Sequence, residues 1–113
     1  MNELAEVHED WRDDTPIGHV AGEIDASNAT MIGIRLRALV ANHAFGLVVD
    51  LTATTYIDSA GINMLFVLGD ELRARQQQLR LVVGPETPIA RMLSVTGLDR
   101  TYAVRATIDD ALG

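Results

Sequence analysis

Short apolar runs recur along the chain, separated by segments whose apolar residues follow a helical period. Such runs are typical of buried strands, and the unbroken apolar stretch at residues 47–49 indicates burial on both faces of a sheet. We therefore predict strands at residues 17–24, 47–51, 79–83 and 102–104. Because strands that alternate with helices form parallel crossovers, this order predicts an α/β fold with a largely parallel sheet.

Three of the intervening segments carry clear helix boundaries. Residues 25–28 offer several N-caps to a first helix, and Thr87 followed by Pro88 predicts the start of a later one that stops at Gly97. Thr107 is expected to cap a short terminal helix over residues 107–112. The predicted inward-facing residues are Ile32, Leu36, Leu39 and Val40 in the first of these helices, and Ile89, Met92 and Leu93 in the second.

A further helix is predicted over residues 62–75 and has a broad apolar surface. Its predicted core stripe is Ile62, Leu65, Phe66 and Leu72. Met64, Val67 and Leu68 widen this stripe, so they are either offered to a partner or buried under a broad helix face.

The first fourteen residues are acidic, with six carboxylates opposed by Arg12. The weak alternation of Val7, Glu9 and Trp11 predicts a charged edge strand, and a solvated lead-in is the other interpretation. Residues 15–16 (Thr-Pro) are interpreted as the turn that follows.

Composition removes several function classes. The 113 residues suffice for one domain, which we assign to residues 1–113, and there is no cysteine for thiol chemistry. The net charge of −7 opposes direct binding to nucleic acid, and all nine basic residues are arginine. Because no membrane-spanning run or signal peptide is evident, we expect a cytoplasmic protein that does not contact a membrane.

Ser59 is the candidate for chemistry, within residues 56–61 (Tyr-Ile-Asp-Ser-Ala-Gly), where a strand gives way to a helix. A hydroxyl at a helix N-terminus can cap the helix, and the same position suits a phosphate. Ser59 is therefore a cap, a nucleophile or a phosphoacceptor.

Other chemistries fit poorly. A serine hydrolase motif needs glycine two residues before the serine, where this chain has Ile57, and its three histidines are scattered. A phosphoaspartate receiver would use Asp50 but also needs a lysine, so Asp50 is interpreted as an acceptor of backbone N–H groups near its strand end. No metal-ligand spacing is evident, and we predict neither a cofactor nor an enzymatic activity.

The chain resembles STAS domains of the anti-sigma factor antagonist type. Five segments in the expected order carry the resemblance, which runs from about Pro16 to the end: residues 22–25 (Gly-Glu-Ile-Asp), 48–51 (Val-Val-Asp-Leu), 56–62 (Tyr-Ile-Asp-Ser-Ala-Gly-Ile), 91–98 (Arg-Met-Leu-Ser-Val-Thr-Gly-Leu) and 108–112 (Ile-Asp-Asp-Ala-Leu). The resemblance implies a mixed sheet with an antiparallel edge strand, covered by helices mainly on one face.

The resemblance also implies a phosphorylation switch. Ser59 matches the serine that is phosphorylated by an anti-sigma factor, an ATP-dependent serine kinase with a histidine-kinase-like fold. The unphosphorylated antagonist binds that kinase and releases the sigma factor, and a PP2C-type phosphatase restores it. The partner-binding residues implied are Asp25, Asp58, Ser59, Gly61, Asn63 and Met64.

Two departures from the family pattern adjoin Ser59. Asn63 occupies a position where the family often has glycine, and Ala60 replaces a second hydroxyl residue. The alternative function is a STAS scaffold or small-ligand sensor in a stressosome-like assembly, in which Ser59 is merely a helix cap.

Overall fold

A computed structural model describes residues 5–113 and shows strands and helices in alternation. The strands are β1 (Ala5–Arg12), β2 (Thr15–Ile24), β3 (Gly46–Asp50), β4 (Thr54–Ile57), β5 (Gln78–Val82) and β6 (Ala103–Arg105). The helices are α1 (Ala29–Ala38), α2 (Ser59–Ala74), α3 (Pro88–Val95), α4 (Leu98–Thr101) and α5 (Ile108–Leu112).

The sheet is mixed and mainly parallel, which confirms the predicted α/β class. Its order is β1-β2-β3-β5-β6, and β4 pairs with the C-terminal part of β2. β1 runs antiparallel to β2, and every other recorded pairing is parallel. β1 is the charged edge strand predicted for the acidic segment, whose residues 1–4 lie outside the described part of the chain.

Most of the core lies between the sheet and one layer of helices. This cluster joins residues of α1, α2, α3 and α4 to the strands, including Val20, Leu36, Leu65 and Leu93. A smaller cluster on the other sheet face packs Ala111 of α5 on Ile17, Val48 and Val82. Helices therefore cover the sheet mainly on one face, as the resemblance implied.

A strand that sequence reasoning missed, β4, directly precedes Ser59. The sequence pattern predicts no strand between residues 51 and 62, but Thr54 and Thr55 lie in β4, where Ile57 pairs with Ile24. The Thr54 Oγ1 hydroxyl donates to the Val20 carbonyl oxygen at 2.7 Å. Because these contacts bridge residues more than thirty positions apart, the local pattern did not reveal them.

Two smaller predictions were wrong. The predicted turn at residues 15–16 lies within β2, which already begins at Thr15, and the preceding turn uses Asp13, whose φ of 55° is one that aspartate tolerates. Met92 was predicted to face inward but is 37% exposed, whereas Ile89 and Leu93 of α3 are buried. The short helix α4 fills residues 98–101, for which the sequence pattern predicted no element.

Candidate functional site

Asp58, not Ser59, caps helix α2. Asp58 has extended backbone angles, and its Oδ1 accepts hydrogen bonds from the N–H groups of Ala60 at 2.9 Å and Gly61 at 3.1 Å. Of the three roles left open for Ser59, the helix cap therefore belongs to Asp58 instead. The carboxylate takes this position because it satisfies two N–H groups that the helix leaves unpaired and carries a negative charge at the positive end of the dipole.

Ser59 is the first residue of the 16-residue helix α2, and its side chain is exposed. Within residues 5–113, no hydrogen bond engages its hydroxyl. The structure thus presents Ser59 Oγ to solvent at a helix start, with its neighbour already supplying the cap. An exposed, unrestrained hydroxyl at this place can accept a group from a second protein.

Asp25 lies beside this helix start because of strand pairing. Ile24 and Ile57 are parallel neighbours, and Asp25 and Asp58 are the residues that follow them. The Asp58 N–H also donates to the Ile24 carbonyl oxygen at 3.2 Å. Adjacent strands lie about 4.8 Å apart, so the two half-buried carboxylate residues lie side by side at the C-terminal ends of β2 and β4.

The loop that carries Asp25 is held by its own side chains. Asp25 Oδ1 accepts from the Ser27 N–H at 2.9 Å and from the Ser27 hydroxyl at 2.6 Å. Asn28 occupies the N-cap position of α1, but its side chain accepts from the Asp25 N–H and donates to the Glu23 carbonyl oxygen. This network orders the loop next to Ser59.

The remaining predicted partner-binding residues divide between surface and interior. Asn63 is exposed, one turn along α2 from Ser59. Gly61 is buried, and a Cβ there would lie 2.5 Å from Ile57 Cγ1 and 2.9 Å from Ile24 Cγ2. Gly61 therefore lets α2 pack closely on β2 and β4, while its contact with a partner stays a prediction.

Met64 belongs to a groove that starts beside Ser59. It is a largely buried side chain, as is Leu68, whereas Val67 remains 48% exposed. α1 and α2 form the walls of this groove, which encloses about 440 Å³. Ile34 on α1, which sequence reasoning did not single out, is 65% exposed and lines it.

A separate polar cluster lies away from Ser59. His19 Nδ1 is 2.7 Å from Asp50 Oδ2, and His19 Nε2 is 3.4 Å from Asp10 Oδ2. The Trp11 N–H, and then His19, hold the pKa of Asp10 below its ordinary value. Asp50 also accepts the Thr52 N–H at 3.0 Å, as predicted for a residue that organises the loop after its strand.

The described part of the chain holds neither a group of metal ligands nor a membrane-spanning helix. Among residues 5–113, no three histidine, aspartate or glutamate side chains are grouped to hold a metal ion. In the same part of the chain, no helix is both long enough and apolar enough to cross a membrane.

Comparisons with known proteins place this chain and its fold in one family. The model of the STAS domain matches residues 8–111. The anti-sigma-B factor antagonist of Listeria monocytogenes is 34% identical over 93% of this chain and 90% of its own length. The anti-sigma-F factor antagonist RsfB of Mycobacterium tuberculosis is 29% identical over 82% of this chain and 75% of its own length.

Solved structures agree with these sequence relatives. The crystal structure of an anti-sigma factor antagonist from Mycobacterium paratuberculosis superposes with a TM-score of 0.84 and 29% identity, covering 96% of this chain and 91% of that one. The residues matched by the STAS domain model, 8–111, include Asp25, Asp58 and Ser59. The chain therefore belongs to the STAS domain family, alongside relatives named anti-sigma factor antagonists.

Proposed function

We propose that this protein is an anti-sigma factor antagonist whose partner binding is switched by phosphorylation of Ser59. In its unphosphorylated form it binds a serine-kinase anti-sigma factor with a histidine-kinase-like fold, and so releases the sigma factor. A PP2C-type phosphatase reverses the modification. The protein acts as a single cytoplasmic STAS domain, a binding module and kinase substrate rather than an enzyme. The names of its relatives support the antagonist role.

The observation that carries this proposal is the exposed Ser59 hydroxyl beside a helix that already has its cap. In the transfer, Ser59 Oγ forms a bond to the γ-phosphorus of ATP as the bond to ADP breaks, and the hydroxyl proton leaves to a base on the kinase. Since Asp58 satisfies the helix start, the Ser59 hydroxyl has no hydrogen bond within residues 5–113 to give up. An approaching kinase can therefore reach the oxygen without unfolding α2.

The fold should tolerate the added phosphate. A phosphoserine carries about −1.5 to −2 charges, and the N-terminus of α2 is the positive end of a helix dipole. This favourable interaction offsets part of the repulsion from Asp58. We therefore expect phosphorylation to change the surface rather than the arrangement of the strands.

The partner experiences the charge differently. Asp25 and Asp58 are adjacent to Ser59 and already make this edge acidic, so the dianion adds to a concentrated negative charge. In a closely packed interface that charge loses its water and meets like charges. A cost of about 3 kcal/mol weakens binding by about a hundredfold.

A phosphate-transfer experiment tests the acceptor assignment. The purified protein is incubated with ATP and each purified serine-kinase anti-sigma factor of its source organism, and its intact mass is measured. We expect one kinase to add a single phosphate to the wild type and none to Ser59→Ala, with Ser94→Ala on the exposed surface of α3 as the matched hydroxyl control. An unchanged phosphate count in Ser59→Ala would refute the assignment. Stable binding to a partner without any phosphate transfer would favour the scaffold alternative.

A further inference from the structure

The groove between α1 and α2 extends away from Ser59 along the surface of the sheet-covering helices. Asn63 and Val67 line its wall on α2, and Gly33 and Ile34 line its wall on α1. A Cβ on Gly33 would lie 2.9 Å from Met64 Cγ, so the two helices approach closely there and Met64 forms the floor. At the far end, Arg37 Nε lies 3.7 Å from Glu71 Oε1.

Two exposed apolar side chains face each other across the rim of this groove. Ile34 is 65% exposed on one side, and Val67 is 48% exposed on the other. α1 already buries Ile32 and Leu36 in the core, so Ile34 is an additional apolar residue on its outer side. Exposed apolar side chains around a concave surface are typical of protein interaction sites.

Distance ties the groove to the phosphorylation site. A standard interface buries about 800 Å² on each partner, which corresponds to a disc of about 16 Å radius. At 1.5 Å per helical residue, Val67 lies about 12 Å from Ser59, and Glu71 lies about 18 Å away at the margin. An interface of this size that is centred on Ser59 therefore reaches Val67 and the part of the groove nearest to Ser59.

We propose that the α1–α2 groove is the affinity site for the same kinase that phosphorylates Ser59, and that it receives an apolar side chain of that kinase. This inference rests on the proposed function and divides the interface into two parts. The groove supplies binding in both states, because neither Ile34 nor Val67 carries charge. Ser59 supplies the change between states. Residues that far apart contribute nearly additively, so the two parts are separable by mutation.

Binding measurements with paired variants test this division. The probe is the purified kinase identified by phosphate transfer to Ser59, and its Kd is measured by calorimetry. We expect Val67→Glu and Ile34→Glu each to weaken binding by about tenfold or more. The matched control is Val95→Glu on α3, where the valine is 76% exposed and does not line the groove, and it should leave Kd unchanged. All three positions are exposed, and circular dichroism checks that each variant is folded.

Phosphorylation kinetics and a double-mutant cycle between positions 67 and 59 distinguish the ways in which the proposal could fail. Val67→Glu should raise the KM for phosphorylation of Ser59 and leave kcat unchanged. Ser59→Asp should weaken binding by the same factor in the wild-type background and in the Val67→Glu background. Wild-type affinity in Val67→Glu and Ile34→Glu, or an equal loss in Val95→Glu, would overturn the groove assignment and leave the Ser59 switch standing. Absence of any kinase that binds the wild type would overturn both. Methyl NMR shifts of Ile34, Met64 and Val67 on kinase addition provide an independent check, and unmoved signals would contradict the groove assignment.

Discussion

The division of labour between Asp58 and Ser59 is open to a direct stability test. Asp58 accepts two N–H groups of α2, whereas the Ser59 hydroxyl is exposed with no hydrogen bond among the described residues. Truncating each side chain to alanine should therefore have very different effects on folding. Asp58→Asn provides the intermediate case, because it keeps a capping oxygen and removes the charge.

The expected sizes follow from the contacts. Loss of an N-cap costs about 1–2 kcal/mol of unfolding free energy, so Asp58→Ala should fall in that range. Asp58→Asn loses the charge–dipole interaction, about 0.3–1 kcal/mol, and keeps the hydrogen bonds. Ser59→Ala removes no side-chain hydrogen bond among the described residues and should change stability by less than about 0.5 kcal/mol.

Urea denaturation followed by far-ultraviolet circular dichroism measures these differences. In thermal melts, each kcal/mol corresponds to about 4 °C in Tm for a chain of this length. The expected order of stability is Ser59→Ala at or near the wild type, then Asp58→Asn, then Asp58→Ala. A loss in Ser59→Ala as large as that in Asp58→Ala would refute the assignment of the cap and return Ser59 to a structural role.

Two further predictions concern the packing around α2. Gly61→Ala should destabilise the fold by about 1–3 kcal/mol in urea melts, because its Cβ meets branched core side chains of Ile57 and Ile24; a neutral effect would show that α2 can move away from the sheet. Burial, and then the hydrogen bond to Asp70, raise the pKa of Tyr102 from 10.0 to about 12. The folded state thus favours the neutral phenol, so the contribution of Tyr102 to the free energy of unfolding should be fully present below about pH 10 and be lost toward pH 12. Tyr102→Phe should remove this decline of the unfolding free energy with pH, and an unchanged slope in that variant would contradict the prediction.

Local signals predicted most of the fold and the candidate acceptor. Thr87 with Pro88 marks a helix start and Gly97 marks its end from neighbouring residues alone, and the structure confirms both. The apolar runs predicted four strands that the structure shows with bounds shifted by one or two residues. The cap was harder, because Asp58 and Ser59 are adjacent residues that both favour an N-cap. Which of them caps depends on where β4 ends, and β4 exists through its pairing with the distant β2.

The groove between α1 and α2 also depends on contacts between distant residues, which local sequence patterns do not reveal. Met64, Val67 and Leu68 lie on one broad apolar arc, and periodicity did not distinguish buried from exposed members. The packing of α1 decides this: Met64 and Leu68 are buried, and Val67 is left at the rim. The sequence pattern did not single out Ile34, because Ile32 and Leu36 already form the apolar stripe that predicts the buried face of α1.

The most direct test of the central claim is the affinity of one kinase for the two forms of this protein. The protein phosphorylated at Ser59 by that kinase is separated from the unmodified protein, and the Kd of each is measured by calorimetry with the kinase loaded with ADP. We predict that phosphorylation weakens binding by about a hundredfold while the circular dichroism spectrum stays the same. Equal affinity of the two forms would contradict a switch at Ser59.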